Sequence, residues 1–231
     1  MYLCELDCVT KIFDADEKVC PIDELSLQIG PGEFIAIEGP SGIGKSTLLY
    51  ILGGLLRPTS GTVYIVGEDT SKMSDQHLTL VRSANVGFIF QEANLFPALT
   101  VLENVEFSIS LRNRRKGTKG ELENAKYILQ ALGLGERMDF LPYKLSVGQR
   151  RRVSVARALV NNAEILIADE PTNDLDPYWA EQVMKLLYQQ VVADKAVIMV
   201  THHAQWAQWA SRRLILKQGK VVEYTKVAND Q

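Results

Sequence analysis

The sequence lacks long apolar runs. No stretch approaches the roughly 18 consecutive apolar residues that a membrane-spanning helix needs. Residues 1–7 include acidic side chains where a signal peptide would have a basic segment followed by an apolar one. We therefore expect the protein to stay in the cytoplasm.

Cysteine and net positive charge are also scarce. Cys4, Cys8 and Cys20 form no CxxC pair and have no histidine near them in the sequence, so neither a zinc site nor a disulfide framework is predicted. We expect buried or half-buried thiols instead. The formal net charge of -3 and the isoelectric point near 5.7 argue against a protein that binds nucleic acid through a broad basic face.

The apolar pattern indicates an α/β fold. With 231 residues, 46% of them apolar and 23% charged, the chain suffices for one large domain or for a domain with a sizeable insertion. The predicted strands lie at residues 3–10, 25–29, 33–38, 62–66, 86–91, 165–168 and 196–200. Residues 101–160 are predicted to be mainly helical, and a helix at 179–192 separates two short apolar strands, as in a parallel sheet.

A glycine-rich segment follows the strand at residues 33–38 and precedes a predicted helix at residues 48–56. It matches the pattern G-x-x-x-x-G-K-[ST] and continues into a threonine: Gly39, Pro40, Ser41, Gly42, Ile43, Gly44, Lys45, Ser46 and Thr47. In such a loop, backbone N–H groups point at phosphate oxygens, and the helix N-terminus adds partial positive charge. Lys45 would contact the β- and γ-phosphates, and the Ser46 hydroxyl would ligate Mg²⁺. A tight turn without chemistry is the alternative, which the strand-loop-helix context disfavours.

Two adjacent acids follow the apolar strand at residues 165–168. Asp169, at the end of the strand, is placed to hold a magnesium ion, and Glu170 to orient or deprotonate an attacking water. Alone, the pair could be two solvated carboxylates. Together with the phosphate loop, it predicts nucleotide hydrolysis.

Further motifs make a resemblance specific. Residues 145–149, Leu-Ser-Val-Gly-Gln, match the signature motif L-S-G-G-Q with valine at the third position. Gln91 matches the glutamine of the Q-loop, Asp176 the aspartate of the D-loop, and His202 the switch histidine. Over essentially its whole length the chain resembles the ATP-binding subunit of an ABC transporter.

The resemblance implies a P-loop NTPase (RecA-like) α/β core with an antiparallel β subdomain and an inserted α-helical subdomain. Residues 1–231 would form a single ABC ATPase domain. The nucleotide-binding core with the β subdomain would comprise residues 1–90 and 157–231, and the helical subdomain would comprise residues 91–156 and carry the signature motif.

The resemblance also implies roles for individual residues, with ATP and Mg²⁺ as ligands. Glu170 and His202 would be catalytic, and the metal would be held by Ser46, Gln91 and Asp169. Besides the phosphate loop, the nucleotide would contact Phe13, Gln91, Ser146, Gly148, Gln149 and Asp176. Phe13 falls where the family places an aromatic ring against adenine, although a phenylalanine of the core would also fit the sequence.

Two copies of the chain would share each site in this family. The signature motif contacts the γ-phosphate held by a second subunit, so that two ATP molecules join a head-to-tail homodimer that hydrolysis releases. In the signature motif of this chain, valine is branched at Cβ, which makes a positive φ unfavourable. We therefore expect Val147 to have a negative φ, with its side chain directed away from the nucleotide.

A narrower likeness points to a membrane partner. Residues 52–55 and 90–105 resemble the lipoprotein-release and macrolide-export group, whose ATP-binding chains pair with separate or fused membrane proteins. This likeness implies an integral membrane permease subunit and a peripheral position on the inner face of the cell membrane. It also implies export or extraction of a lipophilic or peptide-like substrate. Glu92 and Ala93 depart from the group beside the Q-loop, where the membrane partner docks.

The motifs also bear on functions other than transport. A cell-division-type ABC ATPase, which signals through a membrane partner without moving cargo, has the same motifs and stays open. A chromosome or DNA-repair ATPase needs a long coiled-coil insertion, which the roughly fifty residues between Gln91 and Leu145 do not provide. A small P-loop kinase has no use for the signature motif. The basic segment at residues 112–120 fits a solvated loop, with lipid headgroup contact as the alternative.

Overall fold

The computed structural model describes residues 1–14 and 18–224, which begin with a four-stranded antiparallel sheet. Its order is β2-β1-β4-β5, made of β1 (Cys4–Asp14), β2 (Lys18–Ile29), β4 (Ser60–Ile65) and β5 (Glu68–Asp69). In β2 the buried residues from Leu25 to Ile29 alternate with exposed ones, as expected for a sheet with one face in the core.

A six-stranded sheet forms the centre of the molecule. Its order is β10 (Lys220–Glu223), β9 (Arg212–Lys217), β3 (Phe34–Glu38), β8 (Ala196–Val200), β7 (Ile165–Asp169) and β6 (Val86–Ile89). All neighbours are parallel except β10, which is antiparallel to β9. Every residue of β7 and β8 is buried, as is usual where both faces of a parallel strand are covered.

The helices pack on the two faces of this sheet. They are α1 (Lys45–Leu52), α2 (Asp75–Asn85), α3 (Val101–Asn113), α4 (Lys119–Ala131), α5 (Val147–Leu159), α6 (Pro177–Val192) and α7 (Ala204–Ala207). One apolar core lies between the two sheets around α1, and a second joins the central sheet to α3, α4, α5 and α6. The boundary predicted after residue 156 falls inside α5, which therefore links the helical region to the core.

Three helices begin with the same N-terminal capping motif. Thr100, Thr118 and Ser146 are the N-caps of α3, α4 and α5, and each forms a capping box with the Glu or Gln three residues later. The N-cap side chain accepts a hydrogen bond from the backbone N–H of that residue, whose side chain accepts one from the N-cap N–H. This sequence pattern fixes where each helix starts.

The largest differences from the sequence prediction are in β2 and α2. Strand β2 begins at Lys18 instead of residue 25, because its first half pairs with β1 through three irregularities of register that obscure the alternation. Helix α2 was not predicted, since it has few apolar residues and buries only Leu78 and Val81.

Candidate nucleotide site

The phosphate loop joins β3 to α1 and has no room for a Cβ at two of its glycines. Gly39 (φ 148°) and Gly44 (φ 109°) both lie in the left-handed region. A Cβ on Gly44 would lie 2.6 Å from the Cβ of Pro21, and one on Gly39 would lie 2.9 Å from the carbonyl oxygen of Leu216. Gly44 is also the N-cap of α1, so the backbone N–H groups of the first helical turn face a potential anion site.

Lys45 and Ser46 are the first two residues of α1. The side chain of Lys45 reaches back to the start of the loop, and that of Ser46 faces the end of β7. The ammonium of Lys45 donates to the carbonyl oxygens of Gly39 and Pro40, at 2.8 Å each. The hydroxyl of Ser46 donates to Oδ2 of Asp169 at 2.7 Å. Burial raises the pKa of Asp169, and the hydrogen bond from Ser46 opposes that shift. A hydroxyl and a carboxylate are thus held together beside the positive charge of Lys45.

Glu170 holds its side chain in an unusual way. Its φ is 51°, in the left-handed region that a glutamate rarely adopts, and its N–H donates to the carbonyl of Val200 at 3.0 Å. Oε1 lies 2.8 Å from Nδ1 of His202, whereas Oε2 is buried and has no hydrogen-bond partner among the described residues. One carboxylate oxygen is anchored, and the other remains able to accept a proton from a group entering the cavity.

These side chains line one cavity of about 360 Å³. Its walls are Ser41, Gly42, Gly44, Lys45, Ser46, Thr47, Gln91, Asp169, Glu170 and Val200. A larger cavity of about 610 Å³ lies elsewhere, where Arg212 is already paired with Glu33 and Glu223. The smaller cavity is the better candidate for a phosphate site, because its cation, hydroxyls and carboxylates converge on open space.

The signature residues lie outside this cavity, at the start of α5. Ser146 Oγ accepts from the N–H of Gln149 at 3.2 Å, and Gln149 Oε1 accepts from the N–H of Ser146 at 2.9 Å. Val147 is the first residue of the helix, has no positive φ, and is 54% exposed. A Cβ on Gly148 would lie 2.7 Å from the carbonyl oxygen of Asp174, so this position needs glycine because of close packing.

Asp176 and Phe13 are two further predicted residues that lie apart from the cavity walls. Asp176 is the N-cap of α6 and accepts from the N–H of Trp179 at 3.0 Å. Phe13, on β1, is 41% exposed, with the ammonium of Lys11 at 5.1 Å from its ring centroid. This exposure excludes the alternative that Phe13 belongs to the core.

The expectation for the cysteines is wrong at two of three positions. Cys4 is buried, and burial raises the pKa of its thiol to about 12. Cys8 and Cys20 are exposed. The register shift between Leu6 and Val9 in β1 turns Cys8 outward, although the alternation from Cys4 and Leu6 would bury it, and Cys20 lies among the first three residues of β2, which are all exposed.

Arg151 is a residue near the cavity that the sequence reasoning missed. Its guanidinium donates to the carbonyl oxygens of Phe90 and Gln91, and Asp174 lies 3.8 Å away. The available signal was the run of three arginines at residues 150–152. Near a helix N-terminus the dipole disfavours cations, so a local reason for this run was to be expected.

A family model described as "ABC transporter" matches residues 22–173 of this chain. The chain belongs to the ABC transporter family. It is accordingly an ATP-binding ABC ATPase, and the resemblance seen in its motifs is confirmed. No helix in the described ranges 1–14 and 18–224 is long and apolar enough to cross a membrane.

Relatives of this ABC ATPase include chains with and without fused permeases. The lipoprotein-releasing system ATP-binding protein LolD of Aquifex aeolicus is 42% identical over 204 residues, which cover 88% of this chain and 90% of LolD. The macrolide export ATP-binding/permease protein MacB of Shigella flexneri is 42% identical over 221 residues, which cover 95% of this chain and 34% of MacB.

A solved structure confirms the predicted fold. The ATP-binding cassette MJ0796 of Methanocaldococcus jannaschii, in a dimeric post-hydrolysis state bound to ADP and Pi, superposes with a TM-score of 0.91 at 39% identity. The match covers 96% of this chain and 98% of that one. The α/β P-loop core with its antiparallel sheet and inserted helices is therefore the fold of this ABC ATPase.

Proposed function

We propose that this chain is the ATP-binding and hydrolysing subunit that powers an ABC transporter through ATP-dependent dimerisation. The observation that carries the proposal is that Ser46, Asp169 and Glu170 line one cavity, with Ser46 hydrogen-bonded to Asp169 and Glu170 held from outside the lining by His202. The transport role is supported by the names of its relatives, a lipoprotein-releasing system protein and a macrolide exporter. We therefore propose export or extraction of a lipophilic or peptide-like substrate through a separate membrane permease.

ATP fits the cavity by charge and by loop geometry. We propose that the triphosphate lies along residues 39–47, where the backbone N–H groups and the ammonium of Lys45 would face its oxygens. Lys45 donates to two loop carbonyls, so its ammonium already lies at the loop that would hold the phosphates. Phe13, exposed on β1, would stack on adenine.

Mg²⁺ fits the donor set. Ser46, Asp169 and Gln91 offer hydroxyl, carboxylate and amide oxygens, the hard ligands that this ion prefers. The described residues contain no cluster of three His, Cys, Asp or Glu side chains that could hold a metal, and a magnesium ion shared with phosphates needs none. When bound, the ion would neutralise phosphate charge and orient the γ-phosphate.

Hydrolysis would follow from the arrangement of Glu170 and His202. A water oxygen attacks the γ-phosphorus, the bond to the β–γ bridging oxygen breaks, and ADP leaves as phosphate forms. Glu170 would accept the proton of that water on its unpartnered oxygen. His202, with its side chain 57% exposed, holds the other oxygen of Glu170 and can reach toward the γ-phosphate.

A second copy would complete each site. Ser146, Gly148, Gln149 and Asp176 do not line the cavity of their own chain, and they lie at the exposed starts of α5 and α6. We propose that they contact the nucleotide of the partner in a head-to-tail homodimer; the similar MJ0796 cassette is dimeric. The proposed unit is one ABC ATPase domain over residues 1–231, in which residues 91–156 form the helical subdomain. We propose that this domain lies at the inner face of the cell membrane and has no nucleic-acid partner.

The test is the dependence of ATPase activity on chain concentration. If each site needs groups from two copies, the rate of MgATP hydrolysis per chain rises with concentration before it saturates. Lys45→Ala serves as the inactive control for contaminating ATPases, and omission of Mg²⁺ with chelator present tests the metal. A rate per chain that is independent of concentration over the whole range would contradict the shared site.

The transport half of the proposal needs the membrane partner. Affinity purification from detergent-extracted membranes should retain an integral membrane protein in a constant ratio to this chain, and that protein should alter the ATPase rate. Retention of only water-soluble enzymes, with an unchanged ATPase rate, would argue for another use of the same ATPase.

A further inference from the structure

Arg151 is a buried cation close to the start of a helix. Both its burial and the positive partial charge of the helix N-terminus disfavour a cation there. Its side chain is 5% exposed, and it is the fifth residue of α5. Burial lowers the pKa of Arg151, and the carboxylates of Asp174, Asp169 and Glu170 oppose that shift, in this order of size. A buried charge is tolerated only where partners compensate it, so the partners of Arg151 carry information about its role.

Those partners belong to two segments at the nucleotide cavity. One guanidinium nitrogen donates to the Phe90 carbonyl at 2.6 Å and the other to the Gln91 carbonyl, in the segment that leads Gln91 into the cavity. Asp174 Oδ2 lies 3.8 Å away, in the segment between Glu170 and α6. The planar fork of arginine suits two neighbouring carbonyl oxygens, and a lysine ammonium cannot reproduce that geometry.

The neighbouring arginines have other partners. Arg150 donates to the carbonyl of Leu145 at 2.7 Å, in the turn before its own helix. Arg152 donates to the Leu132 carbonyl and stacks on the ring of Trp179, with 3.9 Å between its guanidinium carbon and the ring centroid. Arg151 is therefore the member of the run that joins α5 to the walls of the nucleotide cavity.

Asp174 is held by α5 from a second direction. Its φ is 62°, in the left-handed region, and its carbonyl oxygen would be 2.7 Å from a Cβ on Gly148. The start of α5 thus touches the Asp174 backbone through Gly148 and faces its carboxylate through Arg151. Because the Gln91 segment and the Asp174 segment both contact α5, a displacement of this helix would move both segments.

We propose that Arg151 is a positioning residue for ATP hydrolysis, which fixes the Gln91 segment and the Asp174 segment to α5 as one unit. It touches neither ATP nor the attacking water; it sets the backbone from which Gln91 enters the cavity and the direction of the Asp174 segment beside Glu170. The inference rests on the proposed hydrolysis at this site and adds a residue to it.

The decisive comparison is Arg151→Gln against Arg157→Gln. Arg157, also on α5, donates to the carbonyls of Asn94 and Ala93 at 2.7 and 3.0 Å, so it ties the same helix to the next part of the same segment. Arg151→Gln should lower kcat at least about tenfold, the loss of one charge-assisted hydrogen bond, with KM for MgATP changed less than about twofold. Arg157→Gln should keep kcat within about threefold of the parent.

Two further variants separate positioning from folding. Arg151→Lys keeps the charge near Asp174 but loses the fork, so it should recover only part of the kcat lost in Arg151→Gln. Asp174→Asn changes a side chain that is 54% exposed, so it should fold like the parent, and it should lower kcat by about threefold or more. In the Arg151→Gln background the same change should have little further effect, because the two residues act together.

The outcomes are distinct. A parent chain without MgATP hydrolysis overturns the proposed function itself. With an active parent, the inference is overturned by an Arg151→Gln variant with parental kcat, by equal losses in Arg151→Gln and Arg157→Gln, or by an additive double variant. If Arg151→Gln does not fold, the Arg151→Lys and Asp174→Asn variants decide: parental kcat in both overturns the inference.

Discussion

Replacing Val147 by glycine would restore the family pattern of the signature motif, and we expect it to bring no gain. Val147 is the first residue of α5, has no positive φ, and is 54% exposed to solvent. Glycine would relieve no backbone strain there, because a helical φ suits valine. Its lower helix propensity would cost at most about 0.5 kcal/mol, equivalent to about 1–2 °C in Tm for a chain of this length.

The assay is MgATP hydrolysis at saturating ATP, with thermal unfolding of the same preparation. Val147→Gly should keep kcat within about threefold of the parent. Gly148→Ala is the matched control, since its Cβ would lie 2.7 Å from the Asp174 carbonyl oxygen and must displace backbone; it should lose most activity. A gain of tenfold or more in Val147→Gly would refute the reasoning and show that valine impairs the site.

Three other changes test separate parts of the account. Lys45→Ala should abolish or nearly abolish ATP binding, since it removes a charge-assisted contact worth about 1.5–3 kcal/mol. Unchanged affinity for a fluorescent ATP analogue would contradict the assignment of residues 39–47 as the phosphate-binding loop. His202→Ala should bind ATP and lose most hydrolysis, with His203→Ala far more tolerant; the reverse order of kcat values would mean that the wrong histidine was chosen. Gly133→Ala should lower the free energy of unfolding by about 1–3 kcal/mol, because its Cβ would lie 2.1 Å from the Trp179 ring at a φ of 66°; parental stability in denaturant titration would contradict that packing.

The phosphate loop and the acidic strand end could be predicted from sequence because their chemistry is local. Lys45 and Ser46 follow the glycines directly, and Asp169 and Glu170 end a strand whose apolar run is visible by itself. Parallel strands bring their carboxyl ends to one edge of the sheet, so the contact of Ser46 with Asp169, 123 residues apart, follows from the fold class.

Other features depend on contacts that no local pattern encodes. Arg151 meets Gln91 across 60 residues, through a side chain whose run of basic neighbours resembles a solvated surface. The irregular pairing of β1 with β2 obscures the alternation in the first half of β2, and the register shift between Leu6 and Val9 exposes Cys8. The conformation of Glu170 at a φ of 51° also comes from tertiary contacts, namely those with Val200 and His202.

The most direct test of the account is the mass of Glu170→Gln in solution with and without MgATP. The amide cannot accept the proton of the attacking water, so ATP should stay bound and hold two copies together. Light scattering after size exclusion should give the chain mass of 25.8 kDa without nucleotide and twice that mass with MgATP. Lys45→Ala in the same background should stay monomeric. A Glu170→Gln chain that binds MgATP and remains monomeric at every concentration would contradict the nucleotide-joined dimer.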